Sequence, residues 1–160
     1  MTSVPLPDSL SPVSNDLSPR QVGLILFALT LGGFAIGTGE FASMGLMPNM
    51  VASLGVTEPQ VGHLISAYAL GVVIGAPLLA ILGAGWKRKT LLLSLMGFYA
   101  LGNLASAWGP SYGSLLLFRF IAGLPHGAYF GVAALTAVAI SPPERRGRAV
   151  SLVMLGLTLA

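Results

Sequence analysis

The sequence predicts an all-α transmembrane protein with four complete membrane-spanning helices and a truncated fifth. Hydrophobic residues make up 54% of the 160 positions and charged residues only 8%, whereas a soluble domain carries about a quarter charged residues. Four apolar stretches are each long enough to cross about 30 Å of hydrocarbon as a helix. Glycines four residues apart recur in these stretches, a spacing typical of close packing between membrane helices.

Start and stop signals divide the chain into a tail and five helices. Residues 1–19 are rich in Pro, Ser and Asp and are expected to form a disordered cytoplasmic tail. Capping boxes predict helix starts after Ser18, Thr57 and Ser141. Pro48 is expected to lie beyond the end of the first helix. The predicted helices cover about 22–46, 61–82, 90–108, 112–140 and 145–160.

The fifth apolar stretch is too short to span a membrane. As a helix, residues 149–160 would extend only about 18 Å against about 30 Å of hydrocarbon. We therefore expect the sequence to be a piece of a longer protein, whose remaining helices would be its partners. Two alternatives are a complete small membrane protein that oligomerises and a non-transporting membrane scaffold.

The basic residues lie on one side of the predicted bundle. They are Arg20, Lys87, Arg88, Lys89, Arg145, Arg146 and Arg148. The loops predicted on the opposite side, 47–59 and 109–113, contain neither Lys nor Arg. Because cytoplasmic loops carry an excess of these residues, the pattern predicts a multi-pass protein of the cell (inner) membrane with a cytoplasmic N-terminus.

Composition excludes several classes of function. The chain contains no cysteine, so disulfides, thiolate catalysis and cysteine metal sites are excluded. Nucleic-acid binding would need a clustered basic face with interleaved aromatic residues, and the sequence shows no such face. No nucleophile with its base and no set of metal ligands is visible, so an intramembrane enzyme is the weakest option. We expect no cofactor.

Two charges are predicted to lie inside the membrane. Glu40 falls about 9 Å from the outer end of the first helix, and Arg119 about 10 Å from the outer end of the fourth. Opposite charges at matched depth are natural partners, since an unpaired charge in hydrocarbon costs at least a few kcal/mol. A carboxylate whose protonation depends on a nearby arginine predicts proton coupling. The alternative is a static ion pair that only fixes packing.

His126 lies seven residues after Arg119, on the same face of its predicted helix and near the bilayer midplane. Secondary transporters bind substrates at this depth, so His126 is a candidate substrate residue, together with the adjacent Tyr129 and Phe130. A neutral imidazole bonded to a neighbouring helix is the alternative.

Small residues are predicted to form the helix contacts. Glycines at spacings of four let two backbones approach closely. The candidates are Gly33, Gly37, Gly71, Gly75, Gly123, Gly127 and Gly131.

Three stretches resemble the major facilitator superfamily, within its drug:proton antiporters and arabinose-efflux-like permeases. They are GTGEFASMGLMP at 37–48, GVVIGAPLLAILGAGWKRKTLLL at 71–93, and FRFIAGLPHGAYFG at 118–131 followed by SPPERRGRA at 141–149. The resemblance covers residues 21–160 and implies that 20–160 form an incomplete N-terminal transporter domain. Such permeases have twelve helices in two halves.

The resemblance also implies roles for particular residues. Arg119 and Gly123 match the helix 4 motif whose arginine is implicated in proton transfer, and Glu40 matches the acid of helix 1. Arg88 and Lys89 match the cytoplasmic loop motif, but Ala84 stands where that motif has Asp, so the resemblance does not extend to the conformational lock attributed to the Asp. The implied activity is efflux of a drug, sugar or nucleoside-like solute in exchange for protons, with the bilayer, solute and protons as partners.

Overall fold

A computed structural model describes residues 17–109 and 111–160. Within them, helix α1 spans Pro19–Gly45, α2 Met47–Leu54, α3 Glu58–Leu82, α4 Arg88–Ala107, α5 Tyr112–Ala139 and α6 Arg146–Thr158. Helices α1, α3, α4 and α5 are long and apolar enough to cross a membrane, which confirms the predicted all-α fold with four spans. The predicted tail lies almost wholly outside the described residues.

Helix α5 is the centre of the bundle. It packs against α3, α4 and α6, and α6 in turn packs against α1. In the most apolar window of α5, 56% of the residues are buried, compared with 22–28% in the other three spanning helices. The helix that carries both Arg119 and His126 is therefore the one most enclosed by protein.

Helices α3 and α5 meet backbone to backbone. A Cβ atom added at Gly71 would collide with the carbonyl oxygen of Phe120, and one added at Gly123 would collide with that of Tyr68. A Cβ atom at Gly75 would likewise collide with the backbone of Leu124, and one at Gly127 would stand 2.6 Å from the Cβ of Ala76. Only glycine permits this separation, so the glycine spacing of the two helices determines how near their side chains come.

Helices α1 and α6 form a second close pair. Gly156 lies against the carbonyl of Thr30, and a Cβ atom at Gly33 would stand 3.1 Å from the carbonyl oxygen of Val153. The hydroxyl of Thr30 donates to the carbonyl of Leu152 across the pair at 2.9 Å. A Cβ at Gly37 would likewise meet Leu157 and Ala160.

Two local predictions differ from the structure. The outer loop predicted at 47–59 contains α2, because Pro48 suits the first turn of a helix and begins this one rather than only ending α1. Gly131 has no described atom within 4 Å of an added Cβ, so it makes no helix contact within the described residues and its packing role stays a prediction. The Ser141 box does not cap α6.

The failure at Ser141 has a simple cause. Pro142 precedes Pro143, and a residue before proline is driven out of the helical region. Pro142 accordingly adopts φ −57°, ψ 150°, and a 3₁₀ turn at Pro143–Arg145 precedes α6. Ser111 and Ser114 instead form a capping box that the sequence analysis missed, at the start of α5.

Candidate functional site

His126 lies between two polar groups from different helices. Its Nδ1 atom is 2.9 Å from the Tyr68 hydroxyl oxygen on α3 and 3.8 Å from Oε2 of Glu40 on α1. The His126 side chain is 10% exposed. A neutral Nδ1 accepts the Tyr68 hydroxyl proton, whereas a protonated Nδ1 donates and favours a carboxylate. One nitrogen atom thus has two partners suited to two protonation states.

Arg119 does not pair directly with Glu40. Within the described residues, the only acid–base contact at ion-pair distance is that of Glu40 with His126, so the expected Glu40–Arg119 contact is absent from this conformation. The guanidinium carbon of Arg119 instead lies 4.6 Å from the centroid of the Tyr68 ring. The aromatic face offers partial negative charge to the buried cation.

The same arginine retains an unsatisfied donor. Arg119 is 5% exposed, and its Nε has no hydrogen-bond partner among the described residues. A buried N–H without a partner costs about 1–3 kcal/mol. Stability within the described residues therefore does not explain the position of this side chain. Its Nε is available to a group that this conformation does not bring to it.

The four polar residues form a continuous series that we call the polar chain: Arg119, Tyr68, His126 and Glu40. Its positions follow from the fold. Arg119 and His126 share a face of α5, and the glycine contact between α3 and α5 brings Tyr68 against both. Sequence reasoning missed Tyr68, although a tyrosine in the middle of an apolar span was a usable signal.

Two further tyrosines attach this region to α1. Tyr99 on α4 donates its hydroxyl proton to the carbonyl of Ile36 at 3.1 Å, and Tyr129 on α5 donates to that of Leu29 at 2.9 Å. Tyr129 therefore contacts helix backbone in this conformation, and its predicted role in substrate binding stays a prediction. Tyr99 was not anticipated from the sequence.

Phe130 extends the site with an apolar surface. Its ring centroid lies 5.3 Å from that of His126 and 5.6 Å from that of Tyr129, which it meets edge to face. Phe130 also contacts Gly33 of α1. The arrangement places an aromatic surface beside a titratable ring, a combination suited to small solutes.

The basic loop motif is in contact with the central helix. Arg88 donates from Nη1 to the carbonyl of Leu135 on α5 at 3.1 Å, while Lys89 is exposed. His63, five residues before Tyr68 on α3, is also exposed, and its Nδ1 lies 3.3 Å from the hydroxyl oxygen of Tyr112. No cluster of potential metal ligands occurs among the described residues.

Comparison with known proteins identifies the family. The Major Facilitator Superfamily matches residues 29–160. The inner membrane transport protein YdhP of Escherichia coli K12 is 44% identical over 140 residues, which are 88% of this chain and 36% of that protein. The putative transporter AraJ of the same organism is 38% identical over 136 residues, 85% of this chain and 34% of AraJ.

A further relative carries a more specific name. The chloramphenicol resistance protein of Streptomyces lividans is 36% identical over 137 residues, 86% of this chain and 35% of that protein. This chain thus spans about a third of the length of each of these relatives. No solved structure matches it significantly. The sequence match and the four apolar spans agree that the chain is a multi-pass membrane protein, and it belongs to the major facilitator superfamily, a family of membrane transporters and not of enzymes.

Proposed function

We propose that the chain forms part of a proton-coupled secondary transporter that exports a small solute from the cytoplasm by alternating access. Export is suggested by two relatives, the chloramphenicol resistance protein and a probable sugar efflux transporter of Helicobacter pylori, 30% identical over 135 residues. The solute class we propose is a drug, sugar or nucleoside-like molecule. Glu40 and His126 carry the proton, and Arg119 acts on them through Tyr68.

The observation that carries this proposal is the position of His126 Nδ1 between Tyr68 and Glu40. The 2.9 Å contact with Tyr68 suits a neutral ring that accepts the hydroxyl proton. The 3.8 Å separation from Glu40 is too long for a good hydrogen bond, but shortening it by about 1 Å gives a charge-assisted bond to a protonated ring. Protonation of His126 therefore favours a shorter distance between Glu40 on α1 and His126 on α5, and loss of the proton favours the longer distance seen here.

Glu40 is the most exposed member of the polar chain. Its side chain is 27% exposed in this chain, against 10% for that of His126. We propose that this exposed face of Glu40 borders the transport pathway, so that Glu40 exchanges protons with solution before His126 does. An ionisable pair inside a membrane with unequal access to water is a common feature of proton relays.

Arg119 has a positioning role in this scheme. The guanidinium fixes the Tyr68 ring by a cation–π contact, and Tyr68 in turn positions the hydrogen that His126 accepts. When the helices rearrange, the free Nε of Arg119 gives the site a donor for a carboxylate or for a solute oxygen. We propose that the Glu40–Arg119 coupling belongs to that other state.

Binding of the solute would compete with protonation. A solute oxygen bonded to His126 occupies the nitrogen that Tyr68 or Glu40 would otherwise use, while the ring of Phe130 supplies an apolar surface. Mutual exclusion of proton and solute at one site gives antiport when only the loaded protein changes between its two conformations. His126, Phe130 and Tyr129 are accordingly the proposed substrate residues.

The test uses the complete transporter in inside-out membrane vesicles energised by a proton gradient. The probe is radiolabelled chloramphenicol or arabinose, whichever the wild type concentrates. Glu40→Gln should abolish uphill uptake while counterflow exchange of the solute persists, because an amide keeps the shape but cannot titrate. Glu58→Gln, at the exposed first turn of α3, is the control and should behave as wild type.

The opposite result separates this mechanism from a static contact. If Glu40→Gln concentrates the probe with an unchanged response to the proton gradient, the coupling acid is elsewhere and Glu40 only packs. A scaffold or a small oligomeric pore instead predicts that no variant shows gradient-driven uptake.

We also propose that the basic side of the bundle and the N-terminus face the cytoplasm. A periplasm-dependent reporter fused after Thr57 or Gly109 should be active, and one fused after Lys89 should be silent. The reverse pattern would overturn the orientation.

A further inference from the structure

A cavity lies at the basic end of the bundle, away from the polar chain. Its volume is about 610 Å³, and it opens between the start of α1, the end of α5 and the start of α6. Volumes of about 300–1,000 Å³ are typical of small-molecule sites. None of the residues of the polar chain lines it.

The walls of this cavity are divided between apolar and cationic groups. Val22 and Leu26 of α1 face Leu152 of α6 across it, and Arg145 and Arg148 border it. Arg145 ends the 3₁₀ turn before α6 and Arg148 lies in the first turn of α6, and both residues line the same opening. Neither forms an ion pair within the described part of the chain.

We propose that this cavity binds an anionic phospholipid, with its phosphate at Arg145 and Arg148 and its glycerol and upper acyl carbons between α1 and α6. The site lies where α1 begins and α5 ends, at the level of the membrane interface. Basic pockets between spanning helices on the cytoplasmic side are known to take anionic head groups. The two cations complement the phosphate of such a lipid, and the apolar wall beside them complements its acyl chains.

Such a lipid would connect the two helices that frame the cavity. Helices α1 and α6 already meet through Gly156 and the Thr30 hydrogen bond, and a bound lipid adds a bridge at their basic end. Because α1 carries Glu40, the lipid composition of the membrane would influence the helix that holds the coupling acid. The lipid site itself does not depend on the proposed transport activity.

The experiment measures lipid retention by native mass spectrometry on the full-length protein in detergent. Phosphatidylglycerol is titrated against phosphatidylcholine, with inorganic phosphate in a parallel series. Wild type should bind phosphatidylglycerol selectively, and phosphate should not compete at concentrations equal to those of the lipid. Each basic residue near a membrane surface contributes about a fivefold gain in affinity for anionic lipid, so Arg145→Gln with Arg148→Gln should weaken binding about thirtyfold.

Two further variants make the result specific. Lys87→Gln with Arg146→Gln removes the same charge from the same side of the bundle without touching the cavity lining, and should weaken binding far less. Gly23→Leu fills the cavity while keeping both arginines, since an added Cβ at Gly23 meets nothing within 4 Å. It should abolish retention of the lipid and leave the fold intact, because leucine favours a helix more than glycine does.

Several outcomes would overturn the proposal. Equal binding of phosphatidylcholine, or equal losses in the two double variants, would show that the arginines give no specific site. Full retention in Gly23→Leu, or competition by phosphate alone, would show a head-group contact without an acyl site. Binding that appears only after deletion of residues 2–16 would show that the acidic tail, with Asp8 and Asp16, is the occupant instead.

Discussion

The α3–α5 pair and the boundary between α1 and α5 are built in different ways. Gly71 and Gly123 bring the backbones of α3 and α5 into direct contact. At the boundary, by contrast, side chains reach across to α1: Tyr129 to the carbonyl of Leu29, and His126 towards Glu40. Backbone contact between glycines cannot adjust without separating the helices, whereas a side chain can change rotamer or partner. The contact between the titratable residues Glu40 and His126 thus lies at the boundary where side chains can change rotamer or partner.

This comparison explains the division within the polar chain. Arg119, Tyr68 and His126 all belong to the tightly packed pair, so their mutual geometry is fixed by the glycines. Glu40 alone comes from the other side of the boundary. Stability should therefore depend mostly on the α3–α5 contact, and coupling mostly on the boundary.

The largest expected effect is at the α3–α5 contact. Gly123→Ala places a methyl group against the carbonyl of Tyr68, which cannot move without separating the helices. We expect a loss of about 3 kcal/mol or more, at the upper end for overpacked sites, seen as a large drop in Tm in detergent. Gly131→Ala is the matched control on the same helix, with open space at the added methyl. Equal loss in both would contradict the close packing.

The second effect concerns the partner of Arg119. A double-mutant cycle of Arg119→Leu with Tyr68→Leu should give a coupling free energy of about 2 kcal/mol, as for a desolvated cation–π contact. The parallel cycle of Arg119→Leu with Glu40→Gln should give less than half of that value. If the second cycle is the larger one, direct pairing of Glu40 and Arg119 dominates the resting state.

The third effect is at the boundary. Tyr129→Phe removes the hydroxyl that donates to Leu29 and leaves the ring in place, which should lower the free energy of unfolding by about 1 kcal/mol. Under the proposed mechanism the rate of transport should change clearly while Tm falls only slightly, because the bond connects helices that would move relative to each other. If Tyr129→Phe has normal transport kinetics but lowers Tm as much as Gly123→Ala does, the proposed difference between the two regions is wrong.

The smallest effect is expected within the α1–α6 pair. Thr30→Val removes a hydroxyl that is shared between the carbonyls of Leu26 and Leu152, each at 2.9 Å. Hydrogen bonds between membrane helices average about 0.6 kcal/mol, and the close contact at Gly156 remains. A Tm within about 2 °C of wild type is expected, and a loss as large as that of Tyr129→Phe would show that the hydroxyl, not glycine, holds this pair.

The sequence by itself determined the fold class, the number of spanning helices and most of the glycine contacts. These features follow from hydrophobicity and local spacing, which are properties of the chain read in order. It failed where a neighbouring residue altered the local backbone, as at Pro142 and Pro143, and where a proline could either begin or end a helix, as at Pro48. Spacing also grouped Gly131 with Gly123, although within the described residues only Gly123 contacts another helix.

Only the tertiary structure decided which polar residues meet. Matched depth on two helices suggested Glu40 and Arg119, but depth does not specify the rotation of each helix about its axis, and that rotation determines which side chains face each other. Packing at Gly71 and Gly123 turns Tyr68 towards Arg119 and His126, and the carboxylate of Glu40 lies at ion-pair distance from His126 instead of Arg119. Glu40, Arg119 and His126 could be listed from the sequence, while Tyr68 and the pairing of these residues became evident only once the helices were packed.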